Sequence, residues 1–217
     1  MKRKLVLTIA ILGLTTAISH GQTIQEIFKA LPLEYTPELT KIEKDSLIMF
    51  GTYILPGGDS LEMSKYDYNS DTENYIHLES SYINGPSGFF VIELRKFTKQ
   101  DGKVIVVYAK YGGGPRMFDQ HELIVFDYSS NKFTLNKTIK LPSTIEAKEF
   151  LKNPLPKNFN KHYSNSLSSS YDLNPSDIEG VEYMAYPQVA SDEVFMETQG
   201  FIYKWNGDTF LKSKRKN

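Results

Sequence analysis

The stretch that decides the fold is residues 89–128, FFVIELRKFTKQDGKVIVVYAKYGGGPRMFDQHELIVFDY. It holds three runs rich in Val, Ile, Phe and Tyr, and the segments between them are polar or contain Gly, which is typical of consecutive β-strands. The connection Gln100-Asp101-Gly102 has the length of a hairpin, so neighbouring strands are predicted to be antiparallel. Residues 91–95 and 104–107 are apolar enough to be central strands, and we expect both of their faces to be covered.

Further strands are predicted on both sides of this stretch. Turn residues separate most of them, and Ser129-Ser130-Asn131 and Asn206-Gly207 are hairpin signals. The third run of the stretch is 121–128, and the strands predicted outside it are 61–68, 74–83, 133–141, 181–186, 193–198, 201–205 and 208–212.

Capping boxes predict where the helices begin. In such a box, a Ser or Thr and a Glu three residues later satisfy the free N–H groups of the first helical turn. The pairs with this spacing are Thr23–Glu26, Thr40–Glu43 and Ser143–Glu146. Thr36 followed by Pro37 is a further helix start. We therefore predict an α+β fold, in which a largely antiparallel sheet carries short N-terminal helices and one mid-chain helix on its face.

One domain is predicted after the leader. Residues 22–152 supply the helices and the antiparallel meander, and residues 177–212 supply a C-terminal hairpin unit of the same domain. The segment between them, 153–176, is rich in Ser, Pro and Asn and is predicted to be a loop. Residues 213–217 form a basic tail.

The first 21 residues have the pattern of a secretory signal peptide. Three basic residues precede an uncharged apolar run of 14 residues, and Gly21 is a small residue at the predicted cleavage site, so the mature chain should begin at Gln22. The alternative is a retained membrane anchor, but the run is shorter than the roughly 20 residues that span a bilayer. We expect an exported protein of the periplasm, outer surface or medium, without a transmembrane span.

The composition excludes several classes of function. The chain has no Cys, which excludes a thiol nucleophile, disulfides, a thiolate zinc site and an iron–sulfur cluster. Its formal net charge of −1 becomes −4 without residues 1–21, which hold three basic and no acidic residues. Four more basic residues lie in 212–217, so residues 22–211 carry −8. Because an acidic body does not neutralise phosphates, we predict no binding to nucleic acid.

A glycine-rich segment in the middle of the chain is the predicted ligand site. Three glycines and Pro115 follow Tyr111, and no helix is predicted after them, which fits neither a phosphate-binding loop nor a dinucleotide fingerprint. Glycines let a backbone approach a ligand closely, and loops on a sheet often carry function. The candidate binding residues here are Tyr111, Arg116, Asp119 and His121. The alternative is a mobile connection without function.

Aromatic side chains are the second group of candidates. The chain has 14 Tyr, 13 Phe and one Trp, most of which are expected in the core. Tyr66 and Tyr68 share one face of a predicted strand, and Trp205 precedes a tight turn. Exposed on a sheet, such rings stack on sugars or anchor a protein partner.

No motif indicates an active site, a metal or a cofactor. Asp67-Tyr68-Asn69-Ser70-Asp71 has the oxygen spacing of a calcium loop, but Thr72 and Leu78 stand where that loop needs Gly and Glu. His77, His121 and His162 are far apart, and neither a His-Glu-x-x-His nor a Gly-x-Ser-x-Gly motif is present. A triad or carboxylate pair assembled from distant residues is the alternative that the sequence leaves open.

The mature N-terminus, TIQEIFKALPLEYTPELTKIEKDSLI at 23–48, resembles a group of small secreted bacterial proteins described only as a domain of unknown function. The order of the strand meander, the EFL segment at 149–151 and the late hairpin from Trp205 to Phe210 is also similar to these proteins. The resemblance implies export and an α+β fold, and it implies no catalytic residues.

The function expected from the sequence is therefore binding without catalysis. We predict a binding or envelope-associated module that recognises a protein or polysaccharide of the cell envelope through the 111–122 segment and nearby aromatic residues. The alternative is a periplasmic hydrolase whose active site is not visible in the sequence.

Overall fold

The structure, a computed structural model, describes residues 22–36, 39–55, 64–82, 88–114, 117–157, 159, 167–187 and 190–215. The predicted leader 1–21, the Thr36-Pro37 helix start in part, and Arg116 lie outside these residues. The α-helices are α1 (Ile24–Ala30) and α2 (Lys41–Phe50). The strands are β1 (Thr52–Leu55), β2 (Ser64–Thr72), β3 (Tyr75–Tyr82), β4 (Phe89–Thr98), β5 (Val104–Gly114), β6 (Met117–Ser129), β7 (Lys132–Leu135), β8 (Leu167–Asp172), β9 (Gly180–Pro187), β10 (Gly200–Trp205) and β11 (Phe210–Lys214).

The eleven strands form one mixed sheet in the order β1-β2-β3-β4-β5-β6-β8-β9-β10-β11, with β7 paired to β6. Strands β1 to β6 are an antiparallel meander. Strand β6 has two partners beyond β5, since its end pairs with β7 and its beginning joins β8 in parallel at Asp119 and Ser169. The C-terminal strands β8 to β11 are again antiparallel.

The N-terminal helices begin at the predicted capping boxes. Thr23 Oγ1 accepts the N–H of Glu26 at 3.2 Å, and the Glu26 carboxylate accepts the N–H of Thr23 at 2.9 Å. The same reciprocal pair between Thr40 and Glu43 opens α2. Within the described ranges, no helix has the length and apolar character needed to cross a membrane.

The centre of the sheet is buried on both faces, as β5 shows most clearly. Ile105, Val107 and Ala109 lie in a core shared with the C-terminal strands, while Val106 and Tyr108 lie in a core shared with α1 and α2. All five side chains are at most 1% exposed. The prediction that this strand is central and covered on both faces is confirmed.

The C-terminal strands pack over one face of the meander. Their inward side chains, including Tyr183, Tyr203 and Trp205, share a core with Phe97 of β4. Two hydrogen bonds also join these strands to the end of β4. Trp205 Nε1 donates to the Thr98 carbonyl at 3.3 Å, and the N–H of Gln100 donates to the Gly207 carbonyl at 3.0 Å. The turns of two distant hairpins therefore lie side by side.

The predicted α+β class is wrong, because the sheet dominates the fold. The described residues contain two α-helices, and no α-helix forms after Ser143, where the mid-chain helix is predicted. Only a short 3-10 turn, Ala147–Glu149, forms there. The Phe150 carbonyl instead accepts N–H groups from Glu197 and Thr198 at 2.7 and 3.3 Å. Tertiary pairing with a distant segment thus replaces the local helix that the capping box favours.

Two further segments differ from the predicted secondary structure. Residues 193–198 are not a strand, because a 3-10 helix covers Ala190–Phe195. The serine-rich segment 153–176 contains β8, whose Ser168 and Ser170 are 3% and 5% exposed. Small hydroxyl side chains fit here because Ser168 Oγ accepts the N–H of Phe118 on β6.

Candidate functional site

The glycine-rich segment predicted as a loop is a hairpin of two long strands. β5 runs to Gly114 and β6 begins at Met117, so the glycines lie inside the sheet. A Cβ on Gly112 would lie 2.5 Å from the Phe89 carbonyl oxygen, and one on Gly113 would lie 2.4 Å from that of Met117. The close backbone approach that these glycines allow is therefore between neighbouring strands.

The predicted binding residues of this hairpin differ in their exposure to solvent. Tyr111 is half-buried, whereas Asp119 and His121 are exposed. A register shift after Lys110 lifts His121 out of regular pairing, and its Nε2 lies 3.0 Å from the Gly112 carbonyl oxygen. The hairpin brings Tyr111 together with other aromatic residues, and it leaves Asp119 and His121 near its tip.

The other aromatic candidates are packed into the two cores. Tyr66 is 2% exposed and meets Phe90 edge to face, with ring centroids 6.1 Å apart. Tyr68 is half-buried and packs on Phe28 of α1 at 5.8 Å. Trp205 is 5% exposed. These three side chains stabilise the fold in the structure as it stands, and a role in binding for them stays a prediction.

Tyr111 belongs to a group of four aromatic side chains that are in contact with one another through Phe118. Phe118 lies at its centre, with ring centroids 5.9 Å from Phe89, 6.0 Å from Tyr111 and 5.7 Å from Tyr186. We call these four residues the aromatic row. Tyr186 is 42% exposed and the other three are half-buried, so Tyr186 is the most accessible member of the row.

A buried carboxylate, Glu93, lies near this row and is held by three groups. Oε1 accepts the Tyr75 hydroxyl at 2.7 Å and lies 3.3 Å from His77 Nδ1, and Oε2 accepts the N–H of Leu173 at 2.9 Å. The Glu93 side chain is 5% exposed and that of His77 is 29% exposed. His77 Nε2 lies 4.0 Å from the carboxylate of Glu79, which is half-exposed. An imidazole is thus oriented by a buried carboxylate at the border of solvent.

Negative charge accumulates around Glu93. Burial raises the pKa of Asp172 above its usual range, and the carboxylates of Glu93 and Glu182 raise it further, although the N–H of Asn174 opposes them. The pKa of the Tyr111 hydroxyl is also raised, first by burial and then by charges that include Glu93 and Asp172. The Tyr111 hydroxyl and the Asp172 carboxyl group therefore favour their neutral forms more than the same groups do when exposed.

A cleft of about 600 Å³ opens beside these carboxylates. Asp172 and Glu182 lie on adjacent strands in direct register, and both line the cleft. The segment Pro175–Ile178 forms one side, and the end of β11 with Arg215 forms another. Arg215 donates to Oε2 of Glu182 in a charge-assisted hydrogen bond, which raises the pKa of the guanidinium. We call this feature the acidic cleft.

The residues at the centre of this region are not among those predicted from the sequence. Glu93 and Glu182 are single carboxylates inside the apolar runs FFVIELRKF and VEYMAY. Both are buried, at 4% and 3% exposed, where an unpaired charge is costly. A charged residue at a core position of a strand was the available signal, and Asp172 was hidden because its strand was predicted to be a loop.

No group of His, Asp and Glu suited to hold a metal ion occurs within the described part of the chain. The polar groups of the region bind one another and the backbone, as the contacts of Glu93 and Glu182 show. The arrangement can accept hydrogen bonds and cationic groups, and its aromatic row can stack on a planar or sugar-like surface.

Comparison with known proteins bears on the fold. The sequence matches no protein-family model and no curated protein. The structure is similar to a solved structure of a domain of an uncharacterized protein from Porphyromonas gingivalis W83, with a TM-score of 0.56 and 13% sequence identity. The match covers 88% of this chain and 98% of that domain. At this identity, the likeness shows a fold shared with a bacterial domain.

Proposed function

We propose that the chain is an exported, non-catalytic module that binds a protein or polysaccharide of the bacterial envelope. The leader pattern of residues 1–21, with a boundary between Gly21 and Gln22, supports export. The fold supports the bacterial setting through its likeness to the Porphyromonas gingivalis domain. N-terminal sequencing of protein recovered outside the cytoplasm should start at Gln22, and an intact Met1 would contradict cleavage.

The observation that carries the binding function is the aromatic row beside the acidic cleft. Tyr186 as a residue is 42% exposed, and it lies on β9 four residues after Glu182, on the same side of the strand. Aromatic rings supply contact area at low conformational cost, and nearby carboxylates supply directional acceptors. This combination supports recognition by stacking and hydrogen bonding, because Tyr186 is joined to three further aromatic residues and lies on the same strand as Glu182.

The test of this proposal is a variant that removes the exposed ring. Tyr186→Ala should reduce retention of the purified protein on immobilised envelope proteins or envelope polysaccharide by about tenfold, the effect of losing an aromatic anchor. Tyr82→Ala is the matched control, because Tyr82 is a similarly exposed tyrosine, at 49%, on β3. Equal retention of both variants and the wild type on every envelope fraction would overturn the proposed face.

A second candidate function is hydrolysis, which the geometry of His77 favours. Its Nδ1 lies within 3.3 Å of the Glu93 carboxylate, the arrangement by which a buried carboxylate orients an imidazole for proton transfer. The neighbouring Tyr75 hydroxyl donates to Glu93 and its pKa is raised, first by burial, so this hydroxyl is not an activated nucleophile. Hydrolysis of envelope polysaccharide or peptide that is lost in His77→Gln and kept in Tyr186→Ala would favour this candidate over pure binding.

A further inference from the structure

Glu182 is a buried carboxylate whose two oxygens have different surroundings. Its side chain is 4% exposed, and Oε2 accepts the hydrogen bond from Arg215. Oε1 is buried and has no hydrogen-bond partner in the part of the chain that the structure describes. A buried carboxylate oxygen without a donor raises the free energy of the folded state, and a ligand that brings a donor removes this cost.

The charges that line the acidic cleft are unbalanced toward negative. Asp172, Asp177 and Glu182 are opposed by Lys214 and Arg215. Lys214 lies 3.6 Å from the carboxylate of Glu197, outside the lining, so part of its charge is used elsewhere. An incoming cation therefore meets an attractive potential inside the cleft.

Arg215 shows which chemistry the carboxylate of Glu182 accepts. Its guanidinium reaches the carboxylate from the chain just after β11, and 42% of its side chain remains exposed. Its backbone N–H is fixed by the Gly200 carbonyl at 3.0 Å, so the contact belongs to the ordered end of the sheet. A guanidinium or ammonium group from outside would displace Arg215 from this carboxylate, and its donors would then also reach the buried Oε1.

We propose that the acidic cleft receives a basic side chain, arginine or lysine, of a protein partner, with Glu182 Oε1 and Asp172 as acceptors. Pro175, Ile178 and Ile202 supply apolar walls for the methylene groups of such a side chain. The inference rests on the proposed binding function and specifies its ligand as a protein rather than a polysaccharide. Tyr186, on the same strand as Glu182, would contact the residues next to the basic one.

The direct test compares two probes that differ in charge and match in shape. N-acetyl-arginine amide and N-acetyl-citrulline amide are titrated into the purified protein, and binding is followed by NMR shifts of the cleft residues. Arginine should bind at least about tenfold more tightly than citrulline, the usual effect of a hydrogen bond to a charged group. Equal affinity for the two probes, or no binding of the arginine probe, would overturn the inference.

Two variants test whether the arginine probe binds at the carboxylates of the acidic cleft. Glu182→Gln and Asp172→Asn remove the negative charge and keep the size of each side chain, and each should weaken the arginine probe by about tenfold. Glu149→Gln is the control, since it removes a half-exposed carboxylate that pairs with Lys212, and neither residue lines the cleft. Circular dichroism and the melting temperature report whether each variant is folded. Unchanged affinity in both folded acceptor variants would contradict the assignment.

Arg215→Ala gives a prediction of the opposite sign. Removal of the resident guanidinium frees Oε2 of Glu182, so the arginine probe should bind several-fold more tightly. Lys212→Ala is the control for overall charge, because Lys212 pairs with Glu149 at 3.2 Å and does not line the cleft. An equal gain in the two variants would attribute the effect to net charge and count against a specific cation site.

The outcomes separate this inference from the proposed function. If Tyr186→Ala loses retention on envelope material while the arginine probe fails to bind, the binding function stands and the basic-side-chain ligand is wrong. If soluble glucosamine oligomers bind in a Glu182-dependent manner and the arginine probe does not, the ligand is an amino sugar and the inference is again overturned. Failure of every arm removes both proposals.

Discussion

The hydroxyl of Tyr75 on β3 donates to Glu93 Oε1 on β4 at 2.7 Å, and this contact fixes a carboxylate that also binds the chain after β8. The other carboxylate oxygen accepts the N–H of Leu173, just after β8, at 2.9 Å. Arg95, two residues further along β4, donates to the Leu173 carbonyl at 2.7 Å. The chain after β8 is thus held to the meander through both backbone polar groups of Leu173, its N–H and its carbonyl.

Replacing Glu93 should destabilise the protein in proportion to the acceptors that are lost. Glu93→Ala leaves the Tyr75 hydroxyl and the Leu173 N–H without their acceptor, and we expect the free energy of unfolding to fall by about 3 kcal/mol. Glu93→Gln keeps one acceptor oxygen, and a loss of about 1 kcal/mol is expected. Urea unfolding followed by circular dichroism measures both values.

The control for this series is Glu79→Ala, since the Glu79 side chain is 49% exposed on the same strand as His77. Its free energy of unfolding should stay within about 0.5 kcal/mol of the wild type. A loss for Glu79→Ala as large as that for Glu93→Ala would show that the buried hydrogen bonds are not the cause.

How far the sequence predicts the fold depends on where each segment finds its hydrogen bonds. The strands 89–97 and 104–111 and the capping boxes at Thr23 and Thr40 are predicted well, because their partners are local or their pattern is strong. The segment near Phe150 is predicted poorly, since its carbonyl pairs with residues almost 50 positions away. Periodicity carries no information on such distant pairing.

The candidate site is predicted in part for the same reason. Tyr111, a binding residue predicted from the sequence, lies in the aromatic row, and Phe118 and Tyr186 join it only through the register of β5, β6 and β9. Glu182 and Asp172 become neighbours through the pairing of β8 and β9. The sequence does not predict this pairing, because a serine-rich segment such as β8 has the composition of a loop.

A second prediction concerns the segment that replaces the expected mid-chain helix. Phe150 is 1% exposed and packs on Phe201 and Tyr183, with centroids 5.2 and 6.1 Å away. Phe150→Ala should lower the free energy of unfolding by about 3–5 kcal/mol through loss of burial and a cavity. Denaturant unfolding measures the change.

The same segment offers a test of its backbone conformation. Lys148, whose side chain is 76% exposed, would lie inside the predicted helix. Glycine in a helix interior costs about 1 kcal/mol, whereas Lys148→Gly in the observed short turn should change the free energy of unfolding by less than about 0.5 kcal/mol. A full helical penalty in this variant would argue for a helix in solution.

Lys44 gives a third prediction, on stability as a function of pH. Burial lowers the pKa of its ammonium group to about 8, although Nζ donates to the Leu31 carbonyl at 2.6 Å. In the unfolded chain the pKa of lysine is about 10.4. Between these two values the unfolded state binds the proton and the folded state does not, so the contribution of Lys44 to the free energy of unfolding rises with pH.

The measurement for Lys44 is a difference between two proteins. The free energy of unfolding of the wild type minus that of Lys44→Met should increase from pH 7 to pH 10, because other titrating groups cancel in the difference. Lys41→Met, which removes an exposed lysine of the same helix, is the matched control. A flat difference for Lys44→Met, or an equal slope for Lys41→Met, would contradict the role of burial.

The last prediction is loss of the fold at high pH through the buried tyrosines. Burial raises the pKa of Tyr75, Tyr108, Tyr111 and Tyr171 above the ordinary value, and that of Tyr203 to about 12. Since unfolded tyrosines ionise near pH 10, the folded state binds more protons above this pH, and the free energy of unfolding falls. Phenolate absorbance of the buried tyrosines should therefore appear in the same step in which circular dichroism shows unfolding. In guanidinium-unfolded protein, the control, all 14 tyrosines should titrate together. Complete ionisation of the native protein with its circular dichroism unchanged would refute the burial of these hydroxyls.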